Sequence, residues 1–451
     1  MANTYITRTP SSTGNLRTFT ISFWVKKCVA NKGGSTSQQI IGQTSSQYFR
    51  LMFLNSTDQF RFYDQAGMSK MTTRRFNDTS SWYHFVVRID TTQGTAANRC
   101  RLYVNGVQET SFSTDTNPGQ NVELHFNRTS IHSIGRSSSS GGYDYFDGCL
   151  ADFMVVDGQS LAPTSFGETD ISTGEWRAKD LAANAFTWGT NGFRILKDGI
   201  TVSDQSSNSN NWSAYGSLTK TNDSPSNNFS TLMTTGRDSS GSYDWQNLLS
   251  FGNLKGSSTG YSHYVSTLGM TTGKYYWESI VTLSGGTNAN SGLGIKNEEY
   301  LQRSLWNGDS KSYYYSTTGK KGNSQTPATN YGSAIANNDI VGTAYNATSG
   351  TLWFSLNGTW QNSATINEIA AGTATNAAYS SIPSGTYVVA CTDATSSNNF
   401  SYNFNFGNGY FGTTAITTNS GNGYVGAEGK SKFNYPVPSG FTALSTKGLN
   451  T

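Results

Sequence analysis

NDIVGTAYNATSGTLWFSLNG, Asn338–Gly358, is the stretch whose reading decides the fold class. Ile340–Tyr345 is strand-like, and Asn346, Thr348, Ser349 and Gly350 supply turn chemistry. Leu352, Phe354 and Leu356 then alternate with Thr351, Trp353 and Ser355, the period-2 pattern of a strand with one buried face. Asn357-Gly358 closes the pattern with a pair suited to a type I′ turn, whose central residues both need φ > 0. Each Leu or Phe on the apolar face contributes about 1.5–3 kcal/mol when buried. Arg101–Gly106 (RLYVNG) repeats the device early in the chain, so the two halves read as two sandwiches built on one plan.

Working outward, the 451 residues are enough for two or three domains, each with its own core. Charged residues make up only 13%, aromatics 13%, and there are 48 glycines, a balance that favours strands joined by turns over helices. No window of ten or more residues keeps a 3.6-residue apolar period. The expected class is all-β. Net charge is +3, with Lys and Arg scattered along the chain, which argues against nucleic acid as a partner and predicts slight long-range steering. Cys28, Cys100, Cys149 and Cys391 show no metal spacing and read as free thiols. The N-terminus lacks an apolar signal region and no run of 18 apolar residues exists, so neither classical secretion nor membrane insertion is expected. A chain of extracellular composition without a signal peptide suits assembly in a cytoplasm and release by lysis.

In chain order, TFTISFWVKK (Thr18–Lys27) puts Phe19, Ile21, Phe23 and Val25 on one face. SWYHFVVRID follows at residues 81–90, then RLYVNG, SIGR, and YFDGCLADFMVVDG ending at Gly158. This order is similar to the laminin-G-like domains of the concanavalin A-like jelly-roll sandwiches. That fold hosts lectins, glycosidases and plain adhesion modules. Residues 168–231 change texture: DQSSNSNNWSAYGS and NDSPSNNFS are Ser/Asn-rich and read as an extended connector packed along the domains. Trp176, Trp188, Phe193 and Trp212 punctuate it and need a place to bury.

In the second half, GKYYWES (Gly273–Ser279), GLGI (Gly292–Ile295), the opening hairpin and FNFGNGYF (Phe404–Phe411) resemble the SPRY domain in order and spacing. The expected layout is therefore a laminin-G-like β-sandwich over 1–167, the connector over 168–231, a SPRY-like β-sandwich over 232–412, and a tail over 413–451. Pro436, Pro438 and Gly440 forbid a long strand in that tail, which is expected to fold back on the second sandwich. A laminin-G-like domain followed by a SPRY-like one, with such a connector, resembles structural proteins of marine bacteriophages, cyanophage-like ones in particular.

Glycosidases of the sandwich folds cut with two placed carboxylates. No ExDxxE strand pattern occurs here; Glu298 and Glu299 are adjacent, and Asp144 and Asp147 diverge along a strand. The G-x-G-x-x-G runs at Gly407, Gly409, Gly412 and at Gly421, Gly423, Gly426 lack the following helix that a phosphate site needs, and read as turns. His84, His125, His132 and His263 have no metal spacing, and His84, opposite in phase to its strand's apolar set, is expected in a solvated or sheet-face position. No cofactor is expected. The laminin-G resemblance leaves one calcium ion open, with Asp90, Asp115 and Asp144 as loop candidates.

The aromatic loops carry the binding expectation. Tyr313, Tyr314 and Tyr315 are consecutive, so alternation should leave at least one exposed or in an interface; Tyr243, Trp245, Trp306 and Trp360 are similar candidates. Tyr and Trp stack on sugar faces and anchor interfaces. The sequence thus points to a non-enzymatic virion surface protein, a tail-fibre or appendage subunit or a head decoration. It would act as a homo-oligomer among other virion proteins, and either attach to host-surface glycan or serve protein–protein assembly on the particle. The alternatives are a polysaccharide-degrading enzyme of the same fold and a SPRY-type protein-binding adaptor.

Overall fold

The computed structural model describes residues 4–450 apart from 33–36, 45–47, 138–144, 172–173, 236–247, 307, 309, 324–326, 328, 397–399 and 417–422. The chain divides into two compact units, residues 1–220 with 224–226 and residues 221–223 with 227–451. Both are built from antiparallel sheets, as the alternating patterns require.

The first unit's larger sheet has eight strands in the order Phe112–Thr116, Met68–Arg75, Gln59–Asp64, Phe49–Leu54, Ser37–Thr44, Ile131–Ile134, Tyr5–Arg8, Ser213–Tyr215. Its smaller sheet has six, in the order Phe193–Ile195, Gly148–Asp157, Thr18–Lys27, Tyr83–Asp90, Cys100–Val104, Val107–Glu109. Apolar side chains of the two sheets interdigitate around Phe85, whose ring centroid lies 4.5 Å from Phe60, 5.7 Å from Phe53 and 5.5 Å from Phe23. Such pairs add about 0.5–1.5 kcal/mol each beyond area burial. Asn105 (φ 49°) and Gly106 (φ 80°) form the expected tight turn.

Residues 168–220 join this unit by adding an edge strand to each sheet. Arg194 lies opposite Met154, and Tyr215 opposite Tyr5. Arg194 holds its strand through a buried two-pronged pair, Nε to Asp152 Oδ1 at 2.6 Å and Nη2 to Oδ2 at 3.1 Å. Asp157 ties the same segment to the chain's start, accepting from the backbone N–H of Asn191 and of Asn15 at 2.9 and 2.8 Å. Trp188, Phe193 and Trp212 are buried as their composition demands. Phe166, just before the segment, and Phe186 and Trp188 within it pack over Val86, Met154 and Val156, so the smaller sheet is covered on both faces.

The second unit repeats the plan. Seven strands run Leu232–Thr234, Ser262–Met270, Tyr387–Asp393, Gly292–Asn297, Ser312–Ser316, Lys320–Asn323, Thr329–Asn330. The facing sheet runs Leu248–Ser250, Lys255–Ser257, Ser401–Asn405, Lys274–Thr282, Asp339–Asn346, Thr351–Leu356, Thr359–Trp360, and Thr442–Ala443 pairs parallel with Lys274–Thr282 off that path. The opening hairpin forms with Thr343 opposite Phe354. Asn357 and Gly358 take φ of 48° and 82°, and Asn357 Oδ1 accepts from the Ile340 N–H at 2.9 Å.

One expectation for this hairpin is corrected. Thr351–Leu356 was read as burying one face, yet Thr351, Trp353 and Ser355 are buried as well. The chain's end is the reason: Phe433, Phe441 and Ala443 pack on Trp353, Tyr276 and Ala344. Glu278 anchors that cover from within the sheet. Its carboxylate accepts from the Asn434 N–H at 2.9 Å, the Tyr435 N–H at 2.8 Å, Tyr276 Oη at 3.1 Å and Asn405 Nδ2 at 3.3 Å. Among the described residues the α-helices are Ile366–Ala371, started by a Thr365/Glu368 capping box, and Thr446–Leu449.

Candidate functional site

The residues singled out for binding are not gathered into one place. Tyr243 and Trp245 lie outside the described residues. Tyr313, Tyr314 and Tyr315 lie on the Ser312–Ser316 strand and are all buried, which corrects the expectation that alternation leaves one exposed or in an interface. Alternation does hold. Tyr313 and Tyr315 face the core between the sheets, while Tyr314 turns to the other side, where Leu305, Val388 and Ala390 enclose it together with half-buried Leu301 and Trp306. A strand at the middle of a sheet whose outer side is also covered has no exposed face. Trp306 belongs to that cover, and Trp360 packs edge-to-face on Tyr276 at 6.3 Å. Tyr313, Tyr314 and Tyr315 thus offer no open face to a ligand, and Trp306 and Trp360 are half-buried.

The polar candidates resolve in the same way. His84 is fully buried, not solvated, because Trp176 from the 168–220 segment covers it. Trp176 Nε1–H donates to His84 Nδ1 at 2.9 Å, which fixes the tautomer: Nε2 carries the proton and donates to Ser22 Oγ at 2.8 Å. Burial holds its pKa down at about 3. Asp90 spends its carboxylate on its own turn, accepting from Thr92 Oγ1 and Gln93 Nε2, each at 2.6 Å. Asp115 pairs with Lys70. Asp144 lies outside the described residues. Among the described residues no group of three or more His, Cys, Asp or Glu side chains could hold a metal ion. Glu298 and Glu299 sit in a single 3-10 turn capped by Asn297, not on a strand; with Tyr300–Arg303 they line a surface depression of about 430 Å³. Gly407, Gly409 and Gly412 all take positive φ in turns, and the strand Thr414–Ala415 follows.

The open aromatic surface is on the first unit's larger sheet, on the side away from the core. Tyr5 is sandwiched there. The Arg136 guanidinium lies 3.5 Å from its ring centroid, and Tyr215 is stacked on it at 4.7 Å with an interplanar angle of 3°. Two groups that close cannot share one ring face, so Arg136 and Tyr215 take opposite sides. The outward ring face of Tyr215, which is 48% exposed, is left as the platform. A second group lies on the Phe49–Leu54 and Gln59–Asp64 strands. Arg50 stacks over Tyr48 at 4.1 Å, Arg61 over Tyr63 at 4.9 Å, and the two tyrosine rings are 5.6 Å apart. Arg50 stands directly opposite Tyr63, and Met52 opposite Arg61.

The acids on these strands point the other way. Asp64 turns inward to His125, accepting from its backbone N–H at 2.8 Å and meeting Nδ1 at 2.6 Å. Asp115 follows Lys70, which is opposite Phe62 of the core. Among the described residues the outward positions of this sheet hold no carboxylate, and what they present is aromatic rings and guanidinium groups that can stack and hydrogen-bond.

Sequence reasoning missed these rings for two reasons. Tyr63 and Arg61 stand at the polar phase of QFRFYD, a signal that was present. Tyr215 lies in the Ser/Asn-rich stretch and meets Tyr5 across some 210 residues, a pairing that no local pattern encodes.

Comparison with known proteins agrees with this architecture. Residues 1–164 match the Laminin_G_3 family model, described as the concanavalin A-like lectin/glucanases superfamily, and residues 274–407 match the SPRY domain model. No curated protein sequence matches the chain. Among solved structures, the SPRY domain of human HERC1 is similar over 35% of this chain and 91% of its own, at 13% identity and a TM-score of 0.28. A heptameric SAP-like pentraxin from Limulus polyphemus is similar over 35% of this chain and 71% of its own, at 16% identity and a TM-score of 0.24. A Bacteroides ovatus protein described provisionally as carbohydrate binding is similar over 48% of this chain and 56% of its own, at 14% identity and a TM-score of 0.32. The chain is thus all-β, with a concanavalin A-like domain followed by a SPRY domain, a combination that suggests carbohydrate or protein binding.

Proposed function

We propose that this chain is a non-enzymatic recognition protein that binds carbohydrate through the outward face of its first sandwich, as a surface subunit of a bacteriophage particle. The observation that carries the reading is the Arg136–Tyr5–Tyr215 stack, which ends in an exposed ring face. A ring held parallel by a second ring loses little freedom when a sugar stacks on it, and pre-organisation of this kind raises affinity without new contacts. The virion assignment is supported by the low charged fraction, the amide- and hydroxyl-rich loops and the likeness of the domain order to phage structural proteins. On this reading, other virion proteins and further copies of the chain are its partners in assembly.

The test is a glycan microarray probed with the full chain and with Tyr215→Ala. Binding to a defined set of glycans that Tyr215→Ala weakens about tenfold or more supports the proposal; each stacked ring typically contributes of order 1–3 kcal/mol in comparable stacking sites. Release of reducing ends from the bound glycan would favour the polysaccharide-degrading alternative instead. Antibody against the chain should decorate intact particles; labelling confined to the infected cell's soluble fraction would remove the virion part of the proposal.

A further inference from the structure

The second aromatic group on the same sheet differs from the first in its charge. Arg50 and Arg61 sit on neighbouring strands, each half-buried and each laid over a tyrosine. Because Arg50 is opposite Tyr63 and Arg61 lies two residues before it, the arginines are diagonal neighbours, with backbones about 7–8 Å apart. Among the described residues neither has an acidic partner within ion-pair distance; Arg61 Nη2 donates to Ser69 Oγ at 3.3 Å. Several other buried or half-buried cations are neutralised by a carboxylate: Arg194 by Asp152, Lys27 by Asp58, Lys70 by Asp115 and Lys32 by Asp147. Others are held by neutral acceptors, as Arg88 is by Ser160 O and Tyr103 Oη; Arg50 and Arg61 differ from these in standing side by side, each over a tyrosine ring.

Two like charges held side by side on an apolar floor of Met52 and Met71 repel one another. A bound oxyanion removes that repulsion and accepts from both planar forks. The flanking Tyr48 and Tyr63 rings, 5.6 Å apart, supply the apolar surface that a sugar ring needs and that a bare inorganic anion does not use.

We infer that Arg50, Arg61, Tyr48 and Tyr63 form a subsite for a sugar that carries an oxyanion, a carboxylate or a sulfate on its ring. The inference rests on the carbohydrate reading proposed above and deepens it by giving the ligand its charge. From the Phe49–Leu54 strand the sheet order counts four strand steps to Ser213–Tyr215, which carries the open ring, about 19 Å at the usual spacing. One charged oligosaccharide long enough to span that distance reaches both aromatic groups. The scattering of Lys and Arg along the sequence hides this pair, because residues eleven apart in the chain become neighbours only across a hairpin. Two charges make a local clamp and not a long-range field, so added salt weakens binding only several-fold.

The test is calorimetric titration of the full chain with three probes matched in length: an oligouronate, a sulfated oligosaccharide and a neutral oligosaccharide. The expected result is binding of at least one charged probe about tenfold or more tighter than the neutral one, with that margin abolished in Arg50→Gln/Arg61→Gln. The uronate and sulfate arms identify the source of the oxyanion. Arg50→Lys/Arg61→Lys should retain charge yet lose most of the margin, because the ammonium cannot form the planar fork. Thermal unfolding of each variant shows that the fold is intact, and Tyr48→Ala provides a second route if the double variant does not fold. Equal affinity for charged and neutral probes, or a charged margin that survives in the glutamine variant, overturns the inference. Absence of binding by every probe overturns it too. Failure here leaves the Tyr215 result untouched, so loss of the subsite and loss of the carbohydrate reading are separate outcomes.

Discussion

Tyr63 in the first unit and Tyr314 in the second occupy equivalent settings. Each sits on an inner strand of a large antiparallel sheet, in the phase that points away from the core. Tyr63 is half-buried beside Arg61 and Tyr48, whereas Tyr314 is fully enclosed by Leu305, Val388 and Ala390. The strands do not decide the difference; the segments outside them do. In the second unit residues 298–306 cover one sheet and the chain's end covers the other. In the first unit the 168–220 segment covers the six-stranded sheet and leaves the tyrosines and arginines of the eight-stranded one accessible. A sandwich becomes a binding surface where its cover stops.

The largest test of that comparison removes cover. Trp353→Ala should destabilise the second unit by about 3–5 kcal/mol, since it empties a fully buried indole site beneath Phe441. Tyr63→Ala, on the open face, should cost about 1 kcal/mol or less. Equal costs by thermal or denaturant unfolding would mean that the two faces are alike. Arg194→Ala should cost a comparable 3–5 kcal/mol or so in the first unit, because it strands Asp152 as an unpaired buried charge.

The covers also predict opposite responses to pH. Burial pushes the Glu278 carboxyl up to about 7 from its ordinary 4.5, outweighing the hydrogen bonds from Asn434, Tyr435, Asn405 and Tyr276. The folded state then binds the proton more tightly than the unfolded one. Glu278 therefore contributes most stability below about pH 4.5, and loses that contribution as pH rises to about 7. His84 runs the other way. Its folded pKa of about 3 lies below the ordinary 6.5, so its contribution is full above pH 6.5 and is lost as pH falls towards 3. Melting temperatures of the native chain minus those of Glu278→Gln should fall between pH 4.5 and 7. The difference from His84→Gln should fall between pH 6.5 and 3. Parallel trends in the two comparisons would contradict the assignment.

A smaller effect than that of Trp353→Ala is expected at an Asn-Gly turn, a device that recurs in both units. Gly358 takes φ of 82°, and a Cβ there would come within 2.5 Å of Tyr435 Cδ1. Gly358→Val should cost at least about 1–2 kcal/mol from backbone conformation alone. Unchanged unfolding of the second unit would argue against the strained turn.

What could be read from the sequence follows the same division. Period-2 alternation and the Asn-Gly pairs encode strands and tight turns locally, and Asn105-Gly106 and Asn357-Gly358 take the predicted conformations. Which face is covered is not local. Trp176 reaches His84 across 92 residues and Asn434 reaches Glu278 across 156, so neither the burial of His84 nor that of the Thr351, Trp353 and Ser355 face could be read locally. The tyrosine triplet misled for the same reason. The open site lay partly in plain view, as Arg61 and Tyr63 at the polar phase of QFRFYD, and partly beyond reach, as the Tyr5–Tyr215 stack.

The most direct measurement of the central claim is hydrogen exchange on the full chain, with and without a glycan selected on the microarray. The account predicts slowed exchange confined to strands of the eight-stranded sheet, at Tyr5–Arg8 and Ser213–Tyr215 with extension to Phe49–Leu54 and Gln59–Asp64 for a charged glycan. Slowed exchange around residues 298–306 of the second unit, with that sheet unchanged, would contradict it.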